Sequence, residues 1–276
     1  MEFLKITTLT QIISEVPKIK NRIYYLAGGT DLFVKIKEGS IQENAMIIDI
    51  SDLKELKSIK ETPAEIIIGA LTPFSQIAHS FVINFHAPLL CQAAKSVGSL
   101  QIRNRGTLGG NIANASPAGD SLPALFVHDA IIVTLKRRIS VHDFFINAKK
   151  TVLENGEIIK EIIIPKINMK KKAFFYKSAP REALALSKAS LAVLAMVKNK
   201  KLEDIKIAAG AVGPTVIRTL RTEQFILRNQ INSDVIAKAK NIMISEICPI
   251  TDICSTDQYR REIIKFYLEE ALRNLP

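Results

Sequence analysis

The chain has 276 residues, with 38 lysines and arginines against 27 aspartates and glutamates, so its formal net charge is +11. With 47% hydrophobic and 24% charged residues, the composition excludes a disordered chain, a collagen-like repeat and a disulfide scaffold. Its apolar runs are too short to cross a bilayer, and its first residues lack the layout of a secretory signal. We therefore expect a cytoplasmic protein without membrane insertion.

Charge and cysteine placement exclude two further classes. The basic residues stand in short clusters without interleaved aromatic residues, so we expect solvated surfaces rather than nucleic-acid binding. Cys91, Cys248 and Cys254 are scattered, and no neighbouring histidine or cysteine completes a zinc or iron–sulfur set. These spacings favour ordinary thiols in a reducing compartment and predict no metal site in this chain.

The first half of the chain alternates between strand and helix patterns. Thr72 followed by Pro73 is typical of a helix start, and a second helix is predicted over residues 88–97, stopped by Gly98. This alternation predicts a mixed α/β domain. Short β-branched runs predict buried strands at residues 22–26, 46–50, 65–69 and 131–135.

A charged, apolar-poor segment at residues 166–172 predicts a linker to a second unit. A polar turn is predicted at residues 199–201, and the pattern as a whole indicates a three-stranded antiparallel sheet plus helices. The strands are predicted at residues 173–178, 190–198 and 205–212, and the helices at residues 222–228, 233–245 and 257–275.

Two glycine-bearing loops carry the chemical signal. The first reads LAGGTDL at residues 26–32, and the second reads RGTLGGNIAN at residues 105–114. Adjacent glycines let the backbone approach a ligand, and two such loops suit a pyrophosphate. Neither loop is the Rossmann or Walker pattern. Asp120, shortly after the second loop, is a candidate acceptor for ribose or ribityl hydroxyls; capping a helix near Ser121 is its alternative role.

The sequence offers little acid–base machinery beside these loops. It lacks His-Glu-x-x-His and Gly-x-Ser-x-Gly motifs, and its histidines are isolated from one another. We interpret His79, His86, His128 and His142 as surface or capping residues. A cradle without such machinery indicates that a cofactor supplies the reacting atoms, so no catalytic side chain is predicted.

At these loops the chain resembles the FAD-binding (medium) subunits of the xanthine dehydrogenase and carbon monoxide dehydrogenase family, the molybdenum hydroxylases. The resemblance implies an α+β protein, with a two-subdomain FAD-binding fold of the vanillyl-alcohol-oxidase type at residues 1–168, split near residue 55. A small C-terminal α+β domain at residues 169–276 would follow. The resemblance covers nearly the whole chain and rests on LAGGTDL at 26–32, IRNRGTLGGNIANASPAGDSL at 102–122, AAGAVGPTVI at 208–217 and YRR at 259–261.

The resemblance also implies which residues hold the cofactor. The two loops would wrap the FAD pyrophosphate, Asp120 would bind its sugar or ribityl part, and Lys177 would lie near the flavin, where a cation stabilises negative charge on the reduced ring. Ile159 matches a backbone contact position. Val97 stands where the animal xanthine enzymes have phenylalanine, so an aromatic contact is missing or comes from elsewhere. The expected FAD-binding residues are Leu26, Ala27, Gly28, Gly29, Thr30, Asp31, Leu32, Val97, Thr107, Leu108, Gly109, Gly110, Asn111, Asp120, Ile159 and Lys177.

By the same resemblance we expect an oxidoreductase subunit that binds FAD non-covalently. It would pass electrons from the [2Fe–2S] clusters of a small partner chain to NAD, in a xanthine dehydrogenase-like complex whose large chain holds molybdopterin. One alternative is the flavin subunit of a dehydrogenase that acts on carbon monoxide, or on an N-heterocycle other than xanthine, with a quinone-type acceptor. A stand-alone flavin reductase of the same fold is disfavoured by the GAVGPTVI and YRR features. A basic binding module has only the net charge in its favour.

Overall fold

The computed structural model describes residues 1–167, 171–179, 186–198 and 201–275. Its strands are β1 (Glu2–Lys5), β2 (Ile23–Leu26), β3 (Met46–Asp49), β4 (Ile59–Glu61), β5 (Glu65–Gly69), β6 (Ile131–Thr134), β7 (Arg138–Ser140), β8 (Phe145–Asn147), β9 (Lys150–Thr151), β10 (Ile159–Pro165), β11 (Lys171–Ser178), β12 (Ala189–Lys198), β13 (Lys201–Gly210) and β14 (Ile217–Arg218). Its helices are α1 (Leu9–Glu15), α2 (Leu32–Lys37), α3 (Phe74–His79), α4 (Phe81–His86), α5 (Pro88–Ser96), α6 (Leu100–Arg105), α7 (Leu108–Asn114), α8 (Ser121–Val127), α9 (Val141–Phe144), α10 (Leu220–Leu227), α11 (Ser233–Glu246) and α12 (Asp257–Arg273). Two 3₁₀ helices lie at Val16–Lys18 and Lys54–Leu56.

The first sheet is small and parallel, with strand order β1-β3-β2. Its central strand buries Ile47 and Ile48 completely, as expected of a parallel strand covered on both faces. The chain leaves β2 at Leu26 and enters the first glycine loop at once. The edge of this sheet therefore sets the position of that loop.

The second sheet is antiparallel, with strand order β4-β5-β10-β6-β7. Ile66 and Ile68 of β5, two residues apart, point into one core with Ile162 and Ile164 of β10. Helices α3, α5, α7 and α8 contribute buried residues to the same core. The second glycine loop runs into α7, so this core fixes its place.

The third sheet has the order β11-β12-β13-β14 and is antiparallel throughout. Alternate residues of β12 face two different cores: Leu194 packs against the core of the second sheet, whereas Leu191 and Val193 pack against α10, α11 and α12. The third sheet is thus buried on both faces and joins the two halves of the chain.

The expected fold class is confirmed, and several details differ from the sequence prediction. The C-terminal sheet has a fourth strand, β14, of only two residues. Lys171 and Lys172 belong to β11 rather than to a linker. Of the turn predicted at residues 199–201, the first two positions lie outside the described residues, and Lys201 begins β13.

The helix predicted to begin at Thr72 begins later. Pro73 occupies the N-cap position of α3 without a side-chain cap. Thr72 does not cap the helix because its hydroxyl donates to the Ser58 carbonyl, 3.2 Å away. The Thr72 hydroxyl, which the local sequence pattern predicted as the helix cap, is thus engaged in a tertiary hydrogen bond instead.

Candidate functional site

A cavity of about 780 Å³ opens where the first and second sheets meet. One wall is the loop after β2, residues 27–32, and a second wall is drawn from residues 106–114. Residues 149–159, which include β9 and the turn before β10, supply a third wall. Cofactor and small-molecule sites span about 300–1,000 Å³, so the cavity has the size of such a site.

The two glycine loops touch backbone to backbone. A Cβ atom at Gly28 would lie 1.9 Å from the carbonyl oxygen of Arg105, so the first loop can approach the second only because no side chain stands there. Gly109, in the second loop, likewise allows a close approach, in this case to Ala70. A Cβ at Gly109 would lie 2.6 Å from the Cβ of Ala70, and the Gly109 N–H donates to the Ala70 carbonyl at 2.8 Å. The glycines thus let three chain segments converge.

Thr107 begins α7 and orders the second loop. Its hydroxyl accepts a hydrogen bond from the Gly110 N–H at 3.1 Å, which makes it the N-cap of the helix. A Cβ at Gly110 would lie 2.9 Å from that hydroxyl. The cap therefore explains why a glycine stands three residues after the threonine.

Polar side chains tie α2 to α7 across the cavity. Asn114 Nδ2 donates to Asp31 Oδ1 at 2.6 Å, and Lys35 Nζ donates to Asn114 Oδ1 at 3.0 Å. All three residues line the cavity. The sequence motifs predict Asp31 as a site residue but neither Lys35 nor Asn114, because a helical lysine and an asparagine at a helix end carry no motif of their own.

Asp120 and Lys177 form a buried ion pair. Lys177 Nζ lies 2.6 Å from Asp120 Oδ2 and also donates to the Ser96 carbonyl at 2.8 Å, and each of the two charged side chains is only 9% exposed. The other carboxylate oxygen, Asp120 Oδ1, is buried without a hydrogen-bond partner among the described residues. Burial raises the pKa of Asp120 to about 6, with Lys177 opposing the rise. Asp120 stands at the N-cap of α8 but does not cap it, because its carboxylate is turned to Lys177.

The structure brings most of the expected residues together. Leu26, the last residue of β2, and Leu108, which is fully buried, lie behind the cavity surface. Asp120 and Lys177 lie outside this lining and pair beside Ser96, the neighbour of Val97. The expected residues that line the cavity are Ala27, Gly28, Gly29, Thr30, Asp31, Leu32, Val97, Thr107, Gly109, Gly110, Asn111 and Ile159.

Of the third wall of the cavity, the sequence analysis predicts only Ile159. Gly156 has a φ of +77°, and its carbonyl accepts a hydrogen bond from the Tyr25 hydroxyl at 2.8 Å. Asn155 Oδ1 accepts from the Ile23 N–H at 3.0 Å. These bonds fasten the wall to β2. An Asn-Gly dipeptide is a turn signal, so the sequence at Asn155 and Gly156 indicates a turn but carries no information about its contact with β2.

The histidine interpretation needs one correction. His79 and His142 are hydrogen-bonded in exposed settings, and His86 contacts Glu61. His128, in contrast, is only 2% exposed, and neither ring nitrogen has a hydrogen-bond partner among the described residues. Burial lowers the pKa of His128 to about 3, so the ring is neutral. It stands at the C-cap of α8, and the nearby charges of Lys171 and Lys206 also disfavour its protonated form.

The site fits FAD by its own geometry. The two glycine loops are in backbone contact and both line a cavity of cofactor size, and Asp120 Oδ1, which has no partner among the described residues, is a buried acceptor that needs a donor such as a hydroxyl. Among the described residues, no group of three or more potential ligands is placed to hold a metal ion, and no helix has the length and apolarity needed to cross a membrane. The three cysteines are free thiols.

Comparison with known proteins gives the same picture. The family model described as the FAD binding domain in molybdopterin dehydrogenase matches residues 1–167, and the CO dehydrogenase flavoprotein C-terminal domain matches residues 174–275. The chain is 31% identical to the glyceraldehyde dehydrogenase medium chain of Sulfolobus acidocaldarius, over 91% of this chain and 89% of that protein. It is 28% identical to the xanthine dehydrogenase FAD-binding subunit of Escherichia coli O157:H7, over 90% of this chain and 86% of that protein.

A solved structure supports the relationship. Carbon monoxide dehydrogenase from Hydrogenophaga pseudoflava superposes with a TM-score of 0.93 at 25% identity, over 99% of this chain and 96% of that chain. The match therefore extends through both halves of the molecule. With both family models matched and the relatives aligned along most of their length, the chain belongs to the FAD-binding medium subunits of the molybdenum hydroxylases, as an oxidoreductase subunit.

Proposed function

We propose that the chain binds the FAD pyrophosphate between the two glycine loops, with the sixteen residues named from the sequence forming the site. The observation that carries this proposal is the direct backbone contact between Gly28 and Arg105, which brings the loops to one cavity. We further propose that the FAD-binding domain spans residues 1–168, with subdomains divided near residue 55, and that the C-terminal domain spans residues 169–276. The ranges of the two family matches support this division.

Asp120 and Lys177 mark the flavin end of the proposed site. Lys177 donates to the carbonyl of Ser96, the neighbour of Val97, and Val97 lines the cavity. A buried ammonium group at this position stabilises negative charge placed beside it, because the surroundings screen it less than water does. The free oxygen of Asp120 is proposed to accept a hydroxyl of the cofactor's ribityl or sugar part.

The proposed role is electron transfer within a heteromeric complex. When bound, FAD accepts single electrons and gives up a pair of electrons as a hydride, and the residues of this chain orient it and set its electrostatic surroundings. We propose that electrons arrive from the [2Fe–2S] clusters of a small partner chain and originate at a molybdopterin centre in a large one. The relatives named as medium chains or FAD-binding subunits support this arrangement.

We propose NAD as the acceptor and a xanthine-like heterocycle as the substrate of the complex. The match to the Escherichia coli xanthine dehydrogenase subunit, over 90% of this chain, supports this choice. A quinone-type acceptor is the second candidate, since the carbon monoxide dehydrogenase medium chain of Hydrogenophaga pseudoflava is likewise 28% identical over 90% of this chain. The substrate of the complex would be selected on the large chain, so the acceptor is the property that this chain decides.

An anaerobic titration with NADH tests the proposal. The chain is purified with its co-expressed partners, its visible spectrum is recorded, and NADH is added without oxygen. A flavin spectrum that NADH bleaches supports both the cofactor and the nicotinamide route. A flavin spectrum that NADH leaves unchanged while a reduced quinone analogue bleaches it would replace NAD by the second candidate. Absence of flavin from the complex, even after incubation with FAD, would reject the site itself.

A further inference from the structure

The motif Tyr259-Arg260-Arg261 lies far along the chain from both glycine loops, and the proposed site makes no use of it. It occupies the first turns of α12, whose N-cap is Thr256. Tyr259 and Arg260 reach toward the rest of the molecule, whereas Arg261 donates to the Ile244 carbonyl of α11 at 3.2 Å. The three residues of the motif therefore contact three different segments of the molecule.

Arg260 leads to the backbone just before Asp120. Its side chain is 6% exposed, and its Nη1 donates to the Ala211 carbonyl at 2.6 Å, while Nη2 donates to Asp252 at 2.7 Å. Ala211 has a φ of +60°, a left-handed conformation that alanine rarely adopts, and its N–H donates to the Pro117 carbonyl at 2.8 Å. The guanidinium group thus binds the carbonyl of Ala211, a strained residue whose N–H is hydrogen-bonded to Pro117 in the segment that leads to Asp120.

Close packing makes this contact rigid. A Cβ at Gly210 would lie 2.5 Å from Ser190 Oγ and 2.9 Å from Pro123 Cγ. Gly210 precedes Ala211, and Pro117 and Pro123 stand on either side of Asp120 in the sequence. The C-terminal sheet and the segment that carries Asp120 are therefore in backbone contact, and a shift in one moves the other.

Tyr259 leads to the other member of the ion pair. Its hydroxyl is 2.8 Å from the hydroxyl of Ser178, the residue after Lys177 at the end of β11. The Ser178 carbonyl accepts from the Lys188 N–H at 2.8 Å, and the Lys188 ammonium lies 5.2 Å from the centre of the Tyr259 ring. Tyr259 thus fixes the strand end from which Lys177 projects.

We propose that Tyr259 and Arg260 are positioning residues that set the geometry of the Asp120–Lys177 pair. Both chains of contacts start on α12; one ends at Pro117, three residues before Asp120, and the other at Ser178, the residue after Lys177. A buried ion pair with one oxygen unpartnered among the described residues depends on its backbone supports, because small displacements change its electrostatic energy strongly. The inference rests on the proposed placement of this pair beside the flavin.

Four variants of the whole complex test this inference. Arg260→Met removes both hydrogen bonds of the guanidinium group, and Arg260→Lys retains a cation that can restore one of them. Tyr259→Phe removes only a hydroxyl from a residue that is 42% exposed, so it leaves the core intact. Arg261→Met is the matched control, since it removes an arginine of the same motif that contacts α11 instead. FAD affinity, the flavin reduction potential and thermal unfolding are measured for each.

We expect Arg260→Met and Tyr259→Phe to lower the flavin reduction potential, because a displaced Lys177 stabilises the reduced ring less. We expect a shift on the order of tenfold in the two-electron reduction equilibrium of the flavin in Arg260→Met, which corresponds to about 30 mV in its reduction potential. Arg260→Lys should recover part of this shift, and Arg261→Met should show none. In the Lys177→Met background, Arg260→Met should have little further effect on the potential, since the group through which it acts is gone.

Two results would overturn the inference. If Arg260→Met lowers the melting temperature but leaves the potential and the FAD affinity unchanged, Arg260 acts on stability alone. If its effect on the potential is undiminished in the Lys177→Met background, it acts by another route. A Lys177→Met protein with the wild-type potential and FAD affinity would instead remove the proposed site and this inference together. The single variants therefore tell the two failures apart.

Discussion

Single glycines decide whether the two loops can meet. We expect Gly28→Ala to abolish FAD binding, because the new methyl group would lie 1.9 Å from the Arg105 carbonyl oxygen and force the loops apart. Gly39→Ala is the matched control: its φ of +67° costs about 1 kcal/mol for alanine, but no atom lies within 4 Å of the added Cβ. FAD titration of both apoproteins checks the expectation, which an unchanged dissociation constant in Gly28→Ala would contradict.

The titration of Asp120 gives a pH-dependent prediction at the same scale. Because burial raises its pKa from 3.8 to about 6, the folded apoprotein binds this proton more tightly than the unfolded chain does. The resulting stabilisation is complete below about pH 4 and is lost as the pH rises through about 6. Asp120→Asn cannot titrate, so the gap in unfolding free energy between variant and wild type should change across this window.

Urea unfolding of the two apoproteins at a series of pH values measures that gap. The pH-independent difference between the asparagine amide and the neutral carboxyl group adds a constant offset, so only the slope matters. Parallel stability curves from pH 4 to pH 7 would show that the pKa of the Asp120 carboxyl group is not raised.

At the scale of elements, the N-cap of α7 links stability to the site. Thr107→Ala removes the acceptor of the Gly110 N–H and should lower the free energy of unfolding by about 1 kcal/mol. FAD binding should weaken as well, since the second loop would lose its order. Thr107→Ser keeps the hydroxyl and should behave as wild type in both assays. Equal loss in the alanine and serine variants would show that the methyl group, not the cap, is what matters.

The elements also show how far the sequence predicts this molecule. Strands β2, β3, β5 and β6 were predicted because runs of β-branched residues indicate buried strands directly. The two glycine loops were predicted from their paired glycines. Strand β14 has two residues, too few for any periodicity. Asp120 was predicted from its place after the second glycine loop, and Lys177 only from the family resemblance; their mutual contact, across 57 positions, has no local signal. His128 was misjudged because nothing in one sequence distinguishes a buried ring from an exposed one.

At the scale of the whole molecule, a charge cluster joins the two halves. Asp129 follows α8 with a φ of +49°, and its carboxylate binds His142, Lys206 of β13 and Arg218 of β14. Opposite charges lower the pKa of Asp129, so it is ionised throughout the working range. The carboxylate is 41% exposed, and we expect Asp129→Asn to cost about 1 kcal/mol, a loss that added salt reduces.

Calorimetry tests this coupling. Asparagine tolerates the left-handed backbone, so the substitution removes charge without adding strain. The wild type should unfold in one transition, and Asp129→Asn should broaden or divide it. Asp52→Asn is the control, because its partner Lys5 and Asp52 itself are both more than half exposed. A sharp, unshifted transition in Asp129→Asn would mean that the cluster contributes nothing to joining the halves.

The two-faced strand β12 has a consequence for synthesis on the ribosome. Ala192, Leu194 and Met196 pack against the core of the second sheet, yet they are translated after every strand of that sheet and after helices α3, α5, α7 and α8. A nascent chain of 167 residues therefore carries an open apolar face until about thirty more residues have emerged, a delay of a few seconds at about 5–20 residues per second. An apolar face exposed during that interval is the kind of surface that chaperones bind and that makes incomplete chains prone to aggregate.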